Sequence, residues 1–536
     1  MHGLMQDRPL ALPHVFHRAE QLFGHKNIVT ATAIGEESMS YAEWAQRVRR
    51  LATVLDQLGL GPQARVGTFG WNTGRHLELY FAVPCTGRVL HTLNIRLFAD
   101  QLTYIVQHAD DEVIFVDRSL LPVLWPLADQ LPSVRLFVVM DDGADTPIPD
   151  DPRVRDYETL LAQAAPKQGR FEIDDENTAA ALCYTSGTTG NPKGVLYSHR
   201  STLLHSLMPL TADVFGLSER DVLLPVVPMF HVNAWGLPYA AVLAGADLVF
   251  PGPSMTPVAL LGLIERHRVT FTAGVPTIWM GAVPLLNEHD LSSLRLVVGG
   301  GSAIPSTLSE AWREAIGLPI TQAWGMTETS PIGTAATLRS HHADLTQEEL
   351  QHVRASQGQP VPLVDLRVVD PDSGVEQPWD GASVGELHAS GPWIASGYFG
   401  SHDDPNFTDD GWLRTGDVAV IEEDGYLRLV DRAKDLVKSG GEWISSVELE
   451  NHIMAHPSVS EAAVIAKPDV KWSERPVACV VVKTGAVLTA EDVLEHLRPR
   501  VARWWLPDEI QFIDEVPKTS TGKFSKKTLR EQLYGQ

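Results

Sequence analysis

Across most of its first 300 residues the chain alternates apolar runs of strand length with longer segments whose apolar residues recur at helical spacing. The runs at 65–71, 113–116, 136–139, 223–227, 246–250, 271–274 and 294–298 read as strands, and 41–58 and 77–83 read as helices. Strands separated by helices are joined by crossovers, so the pattern selects parallel sheets with helices on their faces over a sandwich or a bundle. From about Gly358 the rhythm changes to short strands and turns, at 363–370, 385–389 and 425–430, which predicts a β-rich subdomain. After Asp431 it changes again. Helix-like 446–456 and 490–501 flank an apolar strand at 477–482, ahead of a Lys-rich end. The expected fold is α/β: a large N-terminal body of layered α/β subdomains over 1–431, β-rich from about 358, and a small α+β C-terminal lid over 432–536.

Several domains are also what 536 residues demand, because single cores stop growing near ~250–300 residues. The formal net charge is −24, nearly all of it on the body, since residues 431–536 are close to neutral. An acidic surface of that size repels phosphate backbones and anionic lipid, so nucleic acid is not an expected partner. No run approaches the ~20 apolar residues of a membrane span, and residues 1–24 lack the apolar core of a signal peptide. Cys85, Cys183 and Cys479 lie far apart, without the spacing of a disulfide framework or a metal knuckle. The expectation is a cytoplasmic protein in a reducing compartment.

The most informative segment is Tyr184-Thr185-Ser186-Gly187-Thr188-Thr189-Gly190-Asn191-Pro192-Lys193-Gly194, directly after an apolar run. Glycines let backbone N–H groups approach a phosphate closely, while the Ser and Thr hydroxyls and the Lys ammonium offset its charge. The spacing does not satisfy G-x-x-x-x-G-K-[ST], which argues against a P-loop kinase or ATPase. Gly299-Gly300-Gly301-Ser302-Ala303-Ile304-Pro305 also follows a strand, but it lacks the G-x-G-x-x-G spacing of a dinucleotide loop.

Four further strings join the loop in order: Trp324-Gly325-Met326-Thr327-Glu328, Thr415-Gly416-Asp417, Asp431-Arg432-Ala433-Lys434-Asp435 and Pro517-Lys518-Thr519-Ser520-Thr521-Gly522-Lys523. Together they closely resemble the acyl-adenylate-forming superfamily, over nearly the whole chain. Within that superfamily the sequence is most similar to fatty-acid CoA ligases, particularly the bacterial 3-methylmercaptopropionate-CoA ligases. The resemblance implies the fold shared by acyl-CoA synthetases, firefly luciferase and peptide-synthetase adenylation domains, with a mobile lid. It implies an acid–thiol ligase: a carboxylate attacks the α-phosphorus of ATP to give acyl-AMP and diphosphate, and CoA then displaces AMP.

The resemblance also implies residue roles. Thr185, Ser186, Gly187, Thr188, Thr189 and Lys193 would bind the ATP phosphates, with Thr185 and Lys193 also catalytic. Gly301, Ser302, Ala303, Gln322, Ala323, Trp324, Gly325 and Met326 would border adenine and AMP, with Trp324 stacking where a Tyr is more frequent. Thr327 would donate to the α-phosphate, and Glu328 would be the Mg2+ ligand, a hard carboxylate for a hard cation. Asp417 would accept the ribose hydroxyls and Arg432 would donate to the same ribose. Lys523 would bridge the attacking carboxylate and the α-phosphate. His231, Val232, Trp235, Gly300, Gly301 and Gly325 would line the acyl pocket, with His231 near the carboxylate and Trp235 as a tunnel gate or pocket floor. The hinge would be Lys434 and Asp435, and rotation would present Lys438, Ser439, Gly440, Gly441, Glu442 and Trp443 to CoA. The resemblance further implies a homodimer.

Lys526 and Lys527 read as a solvated basic tail, and His341, His342 and His352 as a solvated loop, since no neighbouring carboxylate or Cys in the sequence completes a metal pattern. The expected activity is ATP-dependent acyl-CoA ligation of 3-(methylthio)propanoate and short- or medium-chain acids. The alternatives are a medium- or long-chain fatty-acid ligase, a luciferase-like oxidoreductase, a peptide-synthetase loading module, and a non-enzymatic AMP-binding sensor. A sensor would not need both Lys523 and Glu328, and no carrier domain accompanies the chain for a loading module.

Overall fold

The computed structural model describes all residues except 2, 186–190, 402–403, 440–441, 520–522 and 536, and describes Glu442 by its backbone alone. Two layered sheets build the body. In the first, Ile320–Gly325, Leu296–Gly300, Phe271–Gly274, Val222–Pro225, Asp247–Phe250 and Asn27–Thr32 run parallel in that spatial order. Antiparallel Ile332–Ala335 and Gln359–Pro360 extend one edge and Gly35–Ser40 the other. In the second, Val154–Asp156, Leu136–Met140, Val113–Asp117, Arg65–Phe69, Val89–Thr92 and Ala179–Tyr184 are parallel, and Gly194–Ser198 turns back antiparallel. Central strands such as Val113–Asp117 and Leu136–Met140 are buried at every position, which is why they read as unbroken apolar runs.

Helix ends follow local chemistry. The helix Tyr41–Gln57 opens on a capping box in which Ser40 Oγ accepts from Glu43 N and the Glu43 carboxylate accepts from Ser40 N. The expected helix at 77–83 begins earlier, at Gly74, because Thr73 caps it through His76 N.

The antiparallel strands Asp365–Val369, Gly385–Ser390, Leu413–Ile421 and Leu427–Arg432 form a separate four-stranded sheet. Gln359 and Pro360, inside the range read as β-rich, pair instead with Ile332–Ala335 of the body. Beyond Arg432, the strands Val459–Asp469 and Ser473–Val482 anchor a five-stranded sheet. Alternation along Val459–Asp469 sends Ala462 and Val464 to one face, under the helices Ser446–Met454 and Ala490–Leu497. It sends Ala463 and Ile465 to the other, under Leu529 of the helix Lys526–Tyr534. The lid thus has two cores of its own. Among the described residues no helix is long and apolar enough to cross a membrane.

Candidate functional site

Parallel strands place their carboxyl ends together, and the sequence strings lie there. Gly300 ends the strand Leu296–Gly300, Gly325 ends Ile320–Gly325, and Tyr184 ends Ala179–Tyr184. A Cβ on Gly300 would stand 2.8 Å from Ala323 O and 3.2 Å from Trp235 Cη2, so only glycine lets these three segments meet. Gly301 has φ +83°, and a Cβ there would stand 3.1 Å from Lys523 Cε.

The strand Ile320–Gly325 turns Trp324 toward the four-stranded sheet. Its indole Nε1 donates to Asp417 Oδ2 at 2.9 Å, and Arg432 Nε pairs with Asp417 Oδ1 at 2.6 Å. Asp417 is 1% exposed. Trp324, Asp417 and Arg432 come from three strands, and the carboxylate binds the other two. Each of its oxygens keeps a second lone pair for a hydroxyl. Gln322 serves the frame: Oε1 accepts from Ile304 N at 2.6 Å, and Nε2 donates to Ala355 O and Ser356 O. That bond pins the turn carrying Ser302 and Ala303 to the strand. Met326 opens the short 3-10 turn Thr327–Thr329, in which Thr327 and Glu328 are buried. Tyr197 OH donates to Thr327 O at 2.7 Å.

The phosphate-type loop is closed at its base, where Thr185 N donates to Lys193 O and Lys193 N to Thr185 Oγ1. Ser186, Gly187, Thr188 and Thr189 fall outside the described residues. Lys193 Nζ pairs with Asp404 Oδ2 at 2.6 Å, and Glu328 Oε1 accepts from Tyr398 OH at 2.6 Å. A buried carboxylate with one oxygen held this way is a suitable ligand for Mg2+.

The segment 231–236 is built differently. His231 precedes Val232, Asn233, Ala234 and Trp235, whose φ angles are +46°, +52°, +50° and +58°, followed by Gly236 at +69°. Four successive non-glycine residues in the left-handed region cost about 1–2 kcal/mol each. Cys183 Sγ donates to Asn233 Oδ1 at 2.6 Å, tying this turn to the strand that ends at the phosphate loop. The side chain of Val232 packs into the main core, whereas Trp235 is partly buried against Gly300. Burial, with the Lys523 charge adding to it, drives the His231 pKa down to about 3, so its imidazole is neutral at pH 7.

From the lid, Lys523 enters this cleft. Burial lowers its pKa to about 8, with Arg432 pushing the same way and Asp417 and Glu328 opposing. Lys434 and Asp435 occupy the turn between the strands Leu427–Arg432 and Val437–Ser439, where Asp435 pairs with Arg530 at 2.9 Å. Lys438 and Trp443 sit on a hairpin with the ammonium 4.7 Å from the ring centroid, and Ser439 Oγ accepts from Arg475. Gly440 and Gly441 lie outside the described residues, as does the side chain of Glu442. Among the described residues no hydrogen bond or ion pair joins that hairpin to Trp324, Asp417 or Glu328. The lid face brought to the cleft is the one bearing Lys523.

Two sequence readings are corrected. Lys526 is not a solvated tail: its ammonium is buried, 2.7 Å from Glu450 Oε1 and bonded to Ser446 Oγ, which in turn donates to Asp431 just before the hinge. Lys527 is half exposed. A carboxylate does complete the histidine pair, since Asp424, from a turn 82 residues beyond His342, lies 3.5 Å from His341 Nε2 and 3.8 Å from His342 Nε2. His342 Nδ1 accepts from Arg339 N, which leaves the ring proton on Nε2, facing Asp424 across a gap too long for a hydrogen bond. His352 lies beside Glu422 and Arg428 on the same turn. Sequence reasoning also missed Tyr398 and Asp404, which sit in an irregular connection far from their partners.

The family described as AMP-binding enzyme matches residues 16–399, and the AMP-binding enzyme C-terminal domain matches 448–523. The chain is 45% identical to a medium-chain-fatty-acid–CoA ligase of Ectopseudomonas oleovorans, covering 100% of this chain and 98% of that one. It is 48% identical to a long-chain-fatty-acid–CoA ligase of Thermus thermophilus, covering 98% and 96%. It is 44% identical to a 3-methylmercaptopropionyl-CoA ligase of Ruegeria lacuscaerulensis, covering 99% of each. Three acids at nearly equal identity mean that overall likeness does not select among them.

Proposed function

We propose, from the premise that this chain belongs to the AMP-binding enzyme family, that it is an AMP-forming acyl-CoA ligase acting on 3-(methylthio)propanoate and short- to medium-chain acids. The observation that supports this most is the position of Lys523: a lid lysine whose side chain lies against Gly301, near enough to Asp417, Arg432 and Glu328 for their charges to act on it. A carboxylate is a poor acyl electrophile because its leaving group would be oxide. Attack on the α-phosphorus of ATP converts that oxygen into part of AMP and releases diphosphate. The step brings two anions together, and Lys523 and Lys193 are the cations that offset the repulsion. Trp324, Asp417 and Arg432 fix adenine and ribose, so the α-phosphorus is held in line. Neutral His231 lines the carboxylate end without competing for a proton.

Glu328 would hold Mg2+, which when bound offsets charge developing on the diphosphate leaving group. Once acyl-AMP has formed, Lys523 has no further partner. Rotation of the lid about Lys434 and Asp435 would withdraw it and bring the 438–443 face to the cleft, where the CoA thiol attacks the acyl carbon and AMP leaves. A homodimer and a cytoplasmic location belong to the same proposal. Three buried free thiols agree with a reducing compartment.

For the acid, the support is Trp235, whose indole lies against Gly300, where it would form the floor of a short pocket. The second reading, a long-chain ligase, is favoured by the Thermus thermophilus relative. Acyl-CoA and AMP formation should be measured over 3-(methylthio)propanoate, butanoate, hexanoate, decanoate and palmitate. The proposal expects equal yields of AMP and acyl-CoA and the highest kcat/KM at the short end. Efficient use of palmitate selects the second reading, and AMP formation that ignores the acid removes both.

A further inference from the structure

Glu328 and Lys193 come from different sheets of the body, yet both are held by one connection of the four-stranded sheet, between the strands Gly385–Ser390 and Leu413–Ile421. Backbone bonds dock that connection twice: Ala395 N donates to Glu328 O and Phe399 N to Gly194 O, each at 2.8 Å. Between these points stands Tyr398. Its hydroxyl donates to Glu328 Oε1 at 2.6 Å and accepts from Asn406 Nδ2 at 3.2 Å, so the direction of the phenolic proton is fixed by a donor on its other side. The face of the same ring lies 4.6 Å from Lys193 Nζ. The ammonium continues to Asp404 Oδ2, and the other oxygen of that carboxylate accepts from Asn406 N. Asp404 is 8% exposed against 45% for Lys193, so the carboxylate is part of the fixed frame and the lysine is the member free to leave.

We infer that Tyr398 is a positioning residue for the phosphate end of the site. Its hydroxyl sets the orientation of the Glu328 carboxylate, and its ring together with Asp404 parks the Lys193 ammonium until a triphosphate takes it. Ligand carboxylates that are themselves hydrogen-bonded lose about 10–100-fold in metal affinity when that support is removed. A cation already engaged by a carboxylate must exchange partners before it can serve a phosphate, which weakens binding of the nucleotide. The inference rests on the ligase reading above, because it takes Glu328 as the metal ligand and Lys193 as a phosphate ligand.

The test uses the full chain, Mn2+ followed by electron paramagnetic resonance, and α,β-methylene-ATP, whose α,β bridge is not cleaved. For Tyr398→Phe, Mn2+ affinity in the presence of the analogue should fall about tenfold, while analogue affinity in EDTA stays within about twofold of wild type. For Asp404→Asn, the expectation is the opposite split: Mn2+ affinity unchanged and analogue affinity in EDTA raised several-fold. Wild-type Mn2+ binding by Tyr398→Phe overturns the inference and leaves the ligase reading intact. A wild-type protein that binds neither Mn2+ nor the analogue overturns the ligase reading itself. If Tyr398→Phe does not fold, Asn406→Ala removes only the donor that aims the hydroxyl. It should lose Mn2+ affinity in the same direction by a smaller factor, and no loss there overturns the inference.

Discussion

Trp324, Asp417 and Arg432, the group proposed to hold the nucleotide, come from three strands, and the carboxylate between them has both oxygens engaged. Residues 232–235, by contrast, hold a left-handed turn that Val232, Ala234 and Trp235 do not favour, Asn233 alone being of a type that adopts it readily. In the proposed assignment the mutually bonded frame holds the ligand that AMP-forming ligases share, and the strained segment faces the acid, which differs among the relatives. Strain of this kind persists only where the surroundings hold it, here through Cys183–Asn233 and the contact of Trp235 with Gly300. The turn is therefore tied through Cys183 to the strand Ala179–Tyr184.

The largest effect should come from the group that touches both ends. Lys523→Ala should slow adenylation by about a thousandfold, as when an oriented transition-state donor is lost, while thioester formation from supplied acyl-AMP is spared. Equal slowing of both half-reactions, read by rapid quench, would place Lys523 outside this division of labour. Next, Asp417→Ala strands Arg432 and the Trp324 N–H together, and should raise the KM for ATP about a hundredfold with little change in acid preference. A change in acid selectivity instead would break the separation of the two ends.

The same lysine sets a pH limit. Its pKa in the free protein is lowered to about 8, so the ammonium is lost as pH rises through that value. Adenylation kcat/KM should therefore fall about tenfold per unit above pH 8, and the limb should lie higher in kcat, because bound anions favour the charged form. A flat profile to pH 9.5 would contradict the burial of this amine.

Smaller effects sharpen the acyl side. Trp235→Ala should shift the decanoate-to-butanoate ratio of kcat/KM upward by about tenfold, a few methylenes' worth of binding. An unchanged ratio would take the indole out of the chain-length boundary. Ala234→Gly, at φ +50°, should stabilise the fold by about 1 kcal/mol and broaden acid use. The corresponding change at Ala323, in an ordinary strand, should destabilise it by a similar amount. Thermal melts of the two variants check the sign, and the same sign at both would remove the argument from strain.

That Trp324, Asp417, Arg432 and Lys523 belong together was legible in the sequence, because each sits in a contiguous string whose residue types match one chemistry, and the structure brings them to one cleft. The sheets were legible because strands buried on both faces read as unbroken apolar runs, but their ends moved by a few residues, as at Leu296–Gly300 and Ser473–Val482, and the cap at Thr73 lengthened a helix. Tyr398 and Asp404 were not legible. Their partners lie 70 and 211 residues away, and the connection that carries them has no periodicity to read. Lys526 failed for the same reason: a lysine near a Lys-rich end gives no sign that Glu450 will bury it. The left-handed turn left little signature either, since Val, Ala and Trp do not announce positive φ and a single Asn, though enriched there, marks one position and not four.

The account stands on an acyl-adenylate formed before CoA takes part, and exchange of labelled diphosphate into ATP by the wild-type protein tests this most directly. With 3-(methylthio)propanoate present and CoA omitted, exchange should be fast, and it should vanish when the acid is left out. Exchange that proceeds without acid, or that appears only when CoA is added, would contradict it.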